Sequence, residues 1–416
     1  MRPMEKREAL ESKAIVVHYG ELGLKGANRP DFIRQLRNNL RQKLQAAGCS
    51  WAVRSIPGML LADVPEEADE AALARAGEAI GQVFGVAWHG PATVVPHGGF
   101  VGEQAAADWD RLTAAALAMA RKREDPNASF AVRVRRGDKR LPFRSVDLER
   151  RLGGAILQET QWRRVDLTRP DVTFYVDVRE RESLVLAQRL PGPGGLPVGC
   201  AGRVLTLLSG GIDSPAAAWL LAKRGCRVDF LHFSADEPNA EAIRNSKIWE
   251  LARSLARWTL GARLWVAPYT FFDLALMRGR VDHELVLFRR FILRAAERLA
   301  GELGAEALAT GDSLSQVASQ TLSNLAAASE AARMPILRPL IAYDKEEIVR
   351  LARRIGTYEI AIRPYKDCCA LISRHPKTRS RADKIAALEA RLFPDYERLI
   401  EQTLQAAVRL DVPSEA

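Results

Sequence analysis

The stretch VLTLLSGGIDSPAAAWLLAKRG, residues 204–225, constrains the fold of this chain more than any other feature. It begins with an apolar run typical of a buried strand, passes through a glycine-rich turn, and ends in a segment typical of a helix. Such a turn lets backbone N–H groups approach an anion at the positive end of the helix dipole. The common phosphate loop G-x-x-x-x-G-K-[ST] also carries a lysine, and this turn has none. The stretch therefore predicts a phosphate-binding α/β unit whose loop works without a lysine.

Hydrophobic periodicity divides the 416 residues into three segments, a linker and a tail. Residues 1–83 and 84–190 each mix strands and helices, which predicts two small α+β domains. The Pro/Gly-rich residues 191–199 are typical of a linker. Strands and helices alternate over residues 200–392, which predicts a parallel sheet covered by helices on both faces. We expect residues 393–416 to form a short helical tail.

Cap residues mark the expected helix starts in the third segment. Ser214 is expected to cap the helix after the glycine turn, with Pro215 at its first position. Asp344 and Glu347 have the spacing of a capping box. Apolar spacing predicts strands near 203–208, 227–233, 264–268, 305–310 and 336–341, and helices over 215–224, 239–257, 282–303, 315–330 and 345–355.

The formal net charge of +10 favours a polyanionic partner, although a basic enzyme with scattered arginines is the alternative. Arg133 and Arg135 alternate along a predicted strand, so both lie on one face. The next loop adds Lys139, Arg140 and Arg144. We expect these five residues to contact nucleic-acid phosphates. The competing interpretation is a solvated strand edge, because charged edges resist aggregation.

The number and spacing of the cysteines and the composition of the N-terminal segment indicate the cellular compartment of the protein. Five cysteines without C-x-x-C spacing argue against a zinc or iron–sulfur site and indicate reduced thiols. The N-terminal MRPMEKREALESK lacks the apolar core of a signal peptide. No apolar run approaches the roughly 20 residues that span a bilayer. We therefore expect a cytoplasmic protein with no membrane partner.

The predicted loop, Ser209 to Ser214, follows a strand at its carboxyl end, where α/β sheets bind ligands. Gly210 and Gly211 allow close approach of an anion. Asp213 is unusual, because a carboxylate beside phosphates is repelled unless a cation such as Mg²⁺ lies between them. A loop that holds the β- and γ-phosphates leaves the α-phosphate facing the substrate, so we expect adenylation with release of pyrophosphate. An ordinary strand–helix turn is the alternative.

SGGIDSP resembles the PP-loop of the ATP pyrophosphatase superfamily. GDSLSQVASQTL, PILRPLIAYDKEEI and IGTYEIAIRPYKDCC narrow the resemblance to the tRNA 4-thiouridine synthetases, also called tRNA sulfurtransferases. The similarity runs from HYGELGLKG to HPKT and so covers nearly the whole chain. It implies an N-terminal ferredoxin-like domain, a THUMP RNA-binding domain and a PP-loop domain, in the order of the three segments. It also implies an enzyme that adenylates O4 of a tRNA uridine with ATP and Mg²⁺ and then transfers sulfur from a cysteine persulfide.

The resemblance assigns roles to individual residues. Cys369 is the expected persulfide carrier, and nearby cations would lower the pKa of its thiol. Cys368 is a candidate to resolve the persulfide, although a disulfide between adjacent residues is strained. Asp312 stands where the family commonly has glutamate. The implied nucleotide-binding residues are Leu207, Leu208, Ser209, Gly210, Gly211, Asp213, Ser214, His232, Phe233, Arg289, Gly311 and Gln320.

Expected partners follow from the same resemblance. They are tRNA, a cysteine desulfurase as persulfide donor, a sulfur-carrier protein of thiamine thiazole synthesis, and a second copy of the chain in a homodimer. The 416 residues contain no segment resembling the rhodanese domain of some members, which weakens the expectation for thiamine. Two rival interpretations stay open: a PP-loop synthetase that activates a small carboxylate or carbonyl, and an RNA-binding protein with ATP as a structural ligand.

Overall fold

The computed structural model describes residues 12–24, 26–277, 283–365 and 377–414. The predicted sulfur-handling residues Cys368 and Cys369 lie outside the described residues. The chain forms two compact units, Met1–Gly194 and Gly195–Glu415, so the division falls in the glycine-rich stretch predicted to be a linker. None of the helices described is both long and apolar enough to cross a membrane.

The described residues of the N-terminal unit form one nine-stranded sheet and four α-helices. Its strands are β1 (Ser12–Tyr19), β2 (Val53–Ile56), β3 (Met59–Val64), β4 (Val86–Pro96), β5 (Ser129–Arg136), β6 (Arg164–Val165), β7 (Val172–Val178), β8 (Glu182–Leu186) and β9 (Leu190–Pro191). Its helices are α1 (Arg29–Ala46), α2 (Glu70–Gly81), α3 (Ala105–Arg121) and α4 (Ser145–Glu159). The strand order is β2-β3-β1-β4-β8-β7-β5-β6, and β9 pairs with β4.

Strand β4 joins the two segments that were predicted as separate α+β domains. It pairs with β1 along one side and with β8 and β9 along the other, so one sheet runs through both segments. Side chains alternate along β5, and Phe130 and Val132 lie in the hydrophobic core beside helices α3 and α4. Arg133 and Arg135 therefore project from the other face of the sheet.

The part of the C-terminal unit that the structure describes forms a six-stranded sheet between helices. Its strands are β10 (Arg203–Leu207), β11 (Arg227–Ser234), β12 (Ala262–Pro268), β13 (Ala307–Ala309), β14 (Ile336–Leu337) and β15 (Val408–Val412). Its helices are α5 (Asp213–Lys223), α6 (Ala240–Arg244), α7 (Lys247–Thr259), α8 (Thr270–Leu276), α9 (Glu284–Glu302), α10 (Leu322–Ser329), α11 (Lys345–Arg354), α12 (Tyr358–Ala361), α13 (Ala382–Leu392) and α14 (Tyr396–Gln405).

The sheet order β14-β13-β10-β11-β12-β15 explains where a ligand would bind. Every neighbouring pair is parallel except β12 and β15. Helices α9, α10, α13 and α14 cover one face, while α5, α7 and α11 cover the other, as predicted. The chain leaves β10 toward β11 on one side, and β13 pairs on its other side. The carboxyl end of β10 is therefore the switch point of the sheet.

Several predictions of local structure are wrong. The strand expected near 336–341 spans only Ile336–Leu337. The helix expected over 315–330 begins only at Leu322, where Thr321 caps it, and the residues before it form a loop with one 3₁₀ turn, Ala318–Gln320. The helix expected over 239–257 breaks into α6 and α7, each with its own capping side chain. The tail is not purely helical, since β15 pairs antiparallel with the edge strand β12. The predicted capping box of Asp344 and Glu347 is confirmed.

Candidate functional site

A cavity of about 320 Å³ opens at the carboxyl ends of β10, β11 and β13. That volume suits a small-molecule ligand. All of the predicted nucleotide-binding residues except Gly210 line it. The lining residues are Leu207, Leu208, Ser209, Gly211, Asp213, Ser214, Leu231, His232, Phe233, Phe288, Arg289, Ile292, Leu293, Thr310, Gly311, Asp312, Val317, Ser319 and Gln320.

Ser214 closes the loop instead of capping the helix, so the predicted N-cap is wrong. Helix α5 begins at Asp213, so Ser214 is its second residue and Pro215 its third, not its first as predicted. Ser214 Oγ accepts a hydrogen bond from the Ser209 N–H at 2.8 Å and lies 3.0 Å from Ser209 Oγ. These bonds tie the two ends of the loop together. The N-terminal N–H groups of α5 then lie at the cavity, where they and the helix dipole favour an anion.

Two glycines are required by close approach of other residues. A Cβ at position 311 would lie 2.5 Å from the backbone nitrogen of Ser214, so Gly311 lets the end of β13 approach the start of α5. A Cβ at position 210 would lie 2.6 Å from Cδ1 of Tyr365. Gly210 is therefore covered by the Tyr365 ring, which explains why it does not line the cavity.

A lysine from a distant helix lies beside the loop. Lys345, the first residue of α11, places Nζ 3.2 Å from Oδ1 of Asp213. The amide of Gln316 donates to the other carboxylate oxygen at 3.2 Å. Sequence reasoning missed both residues, although each lies in a motif that carried the family resemblance. Asp213 thus faces the cavity with a cation beside it.

A second carboxylate at the cavity, Asp312, holds two arginines. Arg289 contacts both of its oxygens, at 2.6 and 2.7 Å, and Arg338 contacts one at 3.1 Å. The Thr310 hydroxyl donates to it at 2.8 Å. Burial by itself raises the pKa of Asp312, but the arginines and the threonine outweigh it, so the pKa lies below its usual value. Asp312 therefore stays ionised and orients Arg289 at the cavity wall.

His232 is buried and has a partner on each side of its ring. Nδ1 lies 2.8 Å from the Leu208 carbonyl oxygen, and Nε2 lies 2.7 Å from the Tyr365 hydroxyl. The Leu208 N–H donates to Leu231 at 2.9 Å, so both main-chain groups of Leu208 have protein partners. Phe233 packs edge-on against Phe288 at 6.2 Å between ring centroids, and this apolar wall suits a purine base.

The N-terminal unit has a second cavity, of about 560 Å³, on the sheet face that carries the predicted arginines. Arg133 and Arg135 both line it, as their strand alternation predicted. Arg189, which sequence reasoning missed, lies between Trp88 and Tyr175, 4.4 and 3.6 Å from their ring centroids. Arginine stacked on aromatic rings beside further arginines is typical of surfaces that bind nucleic acid.

A histidine completes this face. His18 stacks on Trp88 with 5.1 Å between ring centroids. Burial lowers the pKa of His18, and the charges of Arg135 and Arg189 lower it further, so the ring is neutral near pH 7. The positive charge of the face therefore comes from its arginines.

The other predicted RNA-contacting residues lie in the loop after β5, outside this cavity. Arg140 pairs with Asp138 at 2.7 Å, and Arg144 pairs with Asp147 at 3.0 Å. Both arginines are largely exposed, and Lys139 is exposed beside them. Exposed pairs are weak, so these side chains can exchange their partners for phosphates.

Family models match all three segments of the chain. The model described as "Thiamine biosynthesis protein (ThiI)" matches residues 199–393, the "ThiI ferredoxin-like domain" matches 14–89, and the "THUMP domain" matches 106–186. These matches confirm the predicted fold class: a ferredoxin-like domain, a THUMP domain and a C-terminal domain with a mainly parallel sheet.

Curated relatives are similar over almost their whole length. A protein of Moorella thermoacetica is 36% identical over 405 residues, covering 97% of this chain and 98% of the relative. A protein of Nocardia farcinica is 41% identical over 398 residues, covering 94% and 92%. Both carry the name "Probable tRNA sulfurtransferase". A solved structure of a 4-thiouridine synthetase–RNA complex with bound ATP is 30% identical, with a TM-score of 0.83, and covers 96% of this chain and 100% of its own.

Proposed function

This chain belongs to the tRNA sulfurtransferase family, and from that premise we propose that its C-terminal cavity binds the ATP that activates a tRNA uridine for conversion to 4-thiouridine. In this reaction O4 of uracil attacks the α-phosphate and pyrophosphate leaves. The terminal sulfur of the persulfide then attacks C4 and displaces AMP, and a second thiol attacks the cysteine sulfur, which releases 4-thiouridine and leaves a disulfide that added cysteine reduces. Similarity over nearly the full length of the relatives argues against both rivals, a small-molecule synthetase and an RNA-binding protein with structural ATP.

The observation that carries the proposal is the arrangement around Asp213. The loop presents the N–H groups of α5 to the cavity, Gly311 allows the sheet to approach them, and Lys345 supplies a cation. Because Lys345 is bound to Asp213 at one end of the cavity, we assign that end to the β- and γ-phosphates. The apolar wall around Phe233 and Phe288 then suits the adenine.

We propose that Mg²⁺ accompanies the ATP. Lys345, Arg289 and Arg338 carry three positive charges, and Asp213 and Asp312 carry two negative charges. The net positive charge of these five side chains is too small to neutralise a triphosphate. The described residues contain no cluster of three metal-ligating side chains. At nucleotide sites Mg²⁺ is commonly held by one or two carboxylates together with phosphate oxygens. Asp213 would hold it, and the ion would neutralise charge on the phosphates.

The tRNA is proposed to bind the arginine face of the N-terminal unit. Arg133, Arg135 and Arg189 line one cavity there, and Lys139, Arg140 and Arg144 extend the positive charge in the neighbouring loop. Such a surface holds RNA mainly through phosphates and stacking, which gives affinity and register without reading base edges.

Sulfur delivery is assigned to Cys369, with Cys368 as the candidate resolving thiol. Cys369 follows Tyr365 by four residues, and four residues span at most about 14 Å. The ring of Tyr365, which precedes this cysteine in the chain, contacts Gly210 of the nucleotide loop. A cysteine desulfurase is the proposed donor of the persulfide.

Two further proposals extend this function. A homodimer would let one tRNA span two subunits, and light scattering with and without tRNA tests it. The description of the matching family model as a thiamine biosynthesis protein supports sulfur supply to a thiamine sulfur-carrier protein. Growth of a strain lacking this protein without added thiamine tests that role.

The decisive experiment measures 4-thiouridine in tRNA. Purified protein is mixed with ATP, Mg²⁺, unmodified tRNA, cysteine and a cysteine desulfurase, and the digested tRNA is analysed by mass. We expect product from the native protein, none from Cys369→Ser, and loss of pyrophosphate release in Asp213→Ala. Asp411→Asn, an exposed carboxylate on β15, is the matched control and should behave like the native protein.

Each result has a separate meaning. Product from Cys369→Ser would move the sulfur to another thiol, Cys368 first. Pyrophosphate release that survives in Asp213→Ala would refute the role of Asp213. If the native protein releases AMP but forms no thiolated tRNA, the result would support the proposed adenylation step and refute the proposed tRNA substrate or sulfur donor.

A further inference from the structure

Among the described residues that follow α12, Tyr365 meets the nucleotide loop. Its hydroxyl lies 2.7 Å from Nε2 of His232, and its ring lies directly against Gly210. Tyr365 lies behind the loop, outside the set of described residues that line the cavity. Tyr365 therefore contacts the loop directly, through its ring against Gly210, and indirectly, through His232. It does not line the cavity itself.

The peptide between Leu208 and Ser209, where β10 becomes the loop, has both of its polar groups held by side chains. Its carbonyl lies 2.8 Å from Nδ1 of His232, and its N–H donates to Ser214 Oγ at 2.8 Å. A carbonyl oxygen only accepts, so Nδ1 must carry the proton and Nε2 must accept from the Tyr365 hydroxyl. The Leu208 carbonyl thus sets the tautomer of His232, and the bond to the Tyr365 hydroxyl helps to set the angle of its ring.

The chain leading to Tyr365 is anchored to α7. Lys247 Nζ donates to the carbonyls of Ala361 and Arg363 at 2.7 and 2.5 Å, and it lies 5.6 Å from the centroid of the Tyr365 ring. Arg363 pairs with Glu250 of the same helix at 2.6 Å. These contacts hold the tyrosine at a defined position against the loop.

We propose that Tyr365 is a positioning residue for the ATP reaction. Through His232 and Gly210 it fixes the Leu208–Ser209 peptide, and with it the loop N–H groups that face the phosphates. This inference rests on the proposed function, because ATP binding and pyrophosphate release are the steps that it affects.

The first test is Tyr365→Phe, which keeps the ring on Gly210 and removes only the hydroxyl. One hydrogen bond of this kind predicts a rise of roughly three- to tenfold in the Kd for ATP and in the KM for ATP in pyrophosphate release. The melting temperature should stay at the native value, since the packing is kept. Tyr358→Phe is the matched control in the same unit, and its ATP affinity should equal that of the native protein.

A double-mutant cycle with His232→Asn separates positioning from general stability. Asparagine keeps an amide donor near the place of Nδ1 but has no counterpart of Nε2, so the bond to Tyr365 is already lost. In that background we expect Tyr365→Phe to change the ATP affinity by less than about twofold.

Three outcomes would overturn the proposal: native ATP affinity in Tyr365→Phe, the same loss in both backgrounds, or a loss that tracks a lowered melting temperature. Native protein that binds no ATP would instead refute the proposed function, and this inference with it.

Discussion

The buried carboxylate of Asp312 offers the sharpest test of the charge arrangement at the cavity. The Asp312 side chain is 4% exposed, while those of its partners Arg289 and Arg338 are 12% and 17% exposed. Asp312→Asn is nearly isosteric, but it leaves two mostly buried guanidinium groups without their counter-charge. The variant therefore tests whether these arginines depend on one shared carboxylate.

The expected cost follows from the burial. Breaking a buried ion pair by removal of one partner costs about 3–5 kcal/mol of unfolding free energy, because the remaining charge is uncompensated. For a domain of 150–250 residues each kcal/mol shifts the melting temperature by roughly 2–4 °C, so the C-terminal unit should melt roughly 6–20 °C lower. Asp312→Glu keeps the charge and is the matched control, with a much smaller shift.

Calorimetry between pH 7 and pH 3 provides the assay. Because the folded pKa of Asp312 is depressed, its contribution is complete above the unfolded value of about 3.9 and is lost as the pH falls through the folded pKa. The gap between native protein and Asp312→Asn should stay constant from pH 7 to 5 and narrow below pH 4. A gap at pH 7 under about 2 °C, or one that widens in acid, would refute the reasoning.

Three further changes test other parts of the structure. Ser315→Gly should stabilise the protein by about 1 kcal/mol in urea unfolding, because Ser315 has a left-handed φ of 61° that costs serine but not glycine; a loss of stability would contradict this. Gly311→Ala should weaken ATP binding by about tenfold or more in calorimetric titration, since its Cβ would collide with the Ser214 backbone; unchanged affinity would place the nucleotide elsewhere. Arg135→Glu should weaken tRNA binding and reduce the slope of log affinity against log salt by about 1, with ATP affinity unchanged. Arg75→Glu on α2 is its control, and equal effects would refute a local footprint.

Local patterns predicted much of the C-terminal unit. The apolar run before SGGIDS is strand β10, the capping box of Asp344 and Glu347 forms, and alternating strands and helices give a sheet covered on both faces. The helix predicted over 315–330 failed because its first turn is taken by tertiary contacts. Ser315 adopts a left-handed conformation, and Gln316 reaches Asp213. No periodicity of the apolar residues reports such contacts.

The sequence predicted the residues of the site that follow strand ends or belong to recognised motifs. It did not predict contacts that depend on how distant helices pack. Parallel strands bring their carboxyl ends to one edge, so residues after β10, β11 and β13 were expected to meet. Lys345 lies 132 residues from Asp213 along the chain, and its distance depends on how α11 packs against α5. The contact of Tyr365 with His232, 133 residues away, depends on the same kind of packing.

The positions of Cys49, Cys200 and Cys226 bear on which thiols could receive or resolve the persulfide. Among the described residues, Cys49 lies buried in the N-terminal unit, while Cys200 and Cys226 precede β10 and β11 at the amino edge of the C-terminal sheet. The cavity opens at the carboxyl edge, and a five-residue strand spans roughly 16 Å. Burial also raises the pKa of Cys226, and Glu306 raises it further, which disfavours the reactive thiolate. Within one chain, these three thiols are therefore poor candidates to receive or resolve a persulfide, and Cys368, Cys369 and an external thiol remain the proposed thiols of the sulfur step.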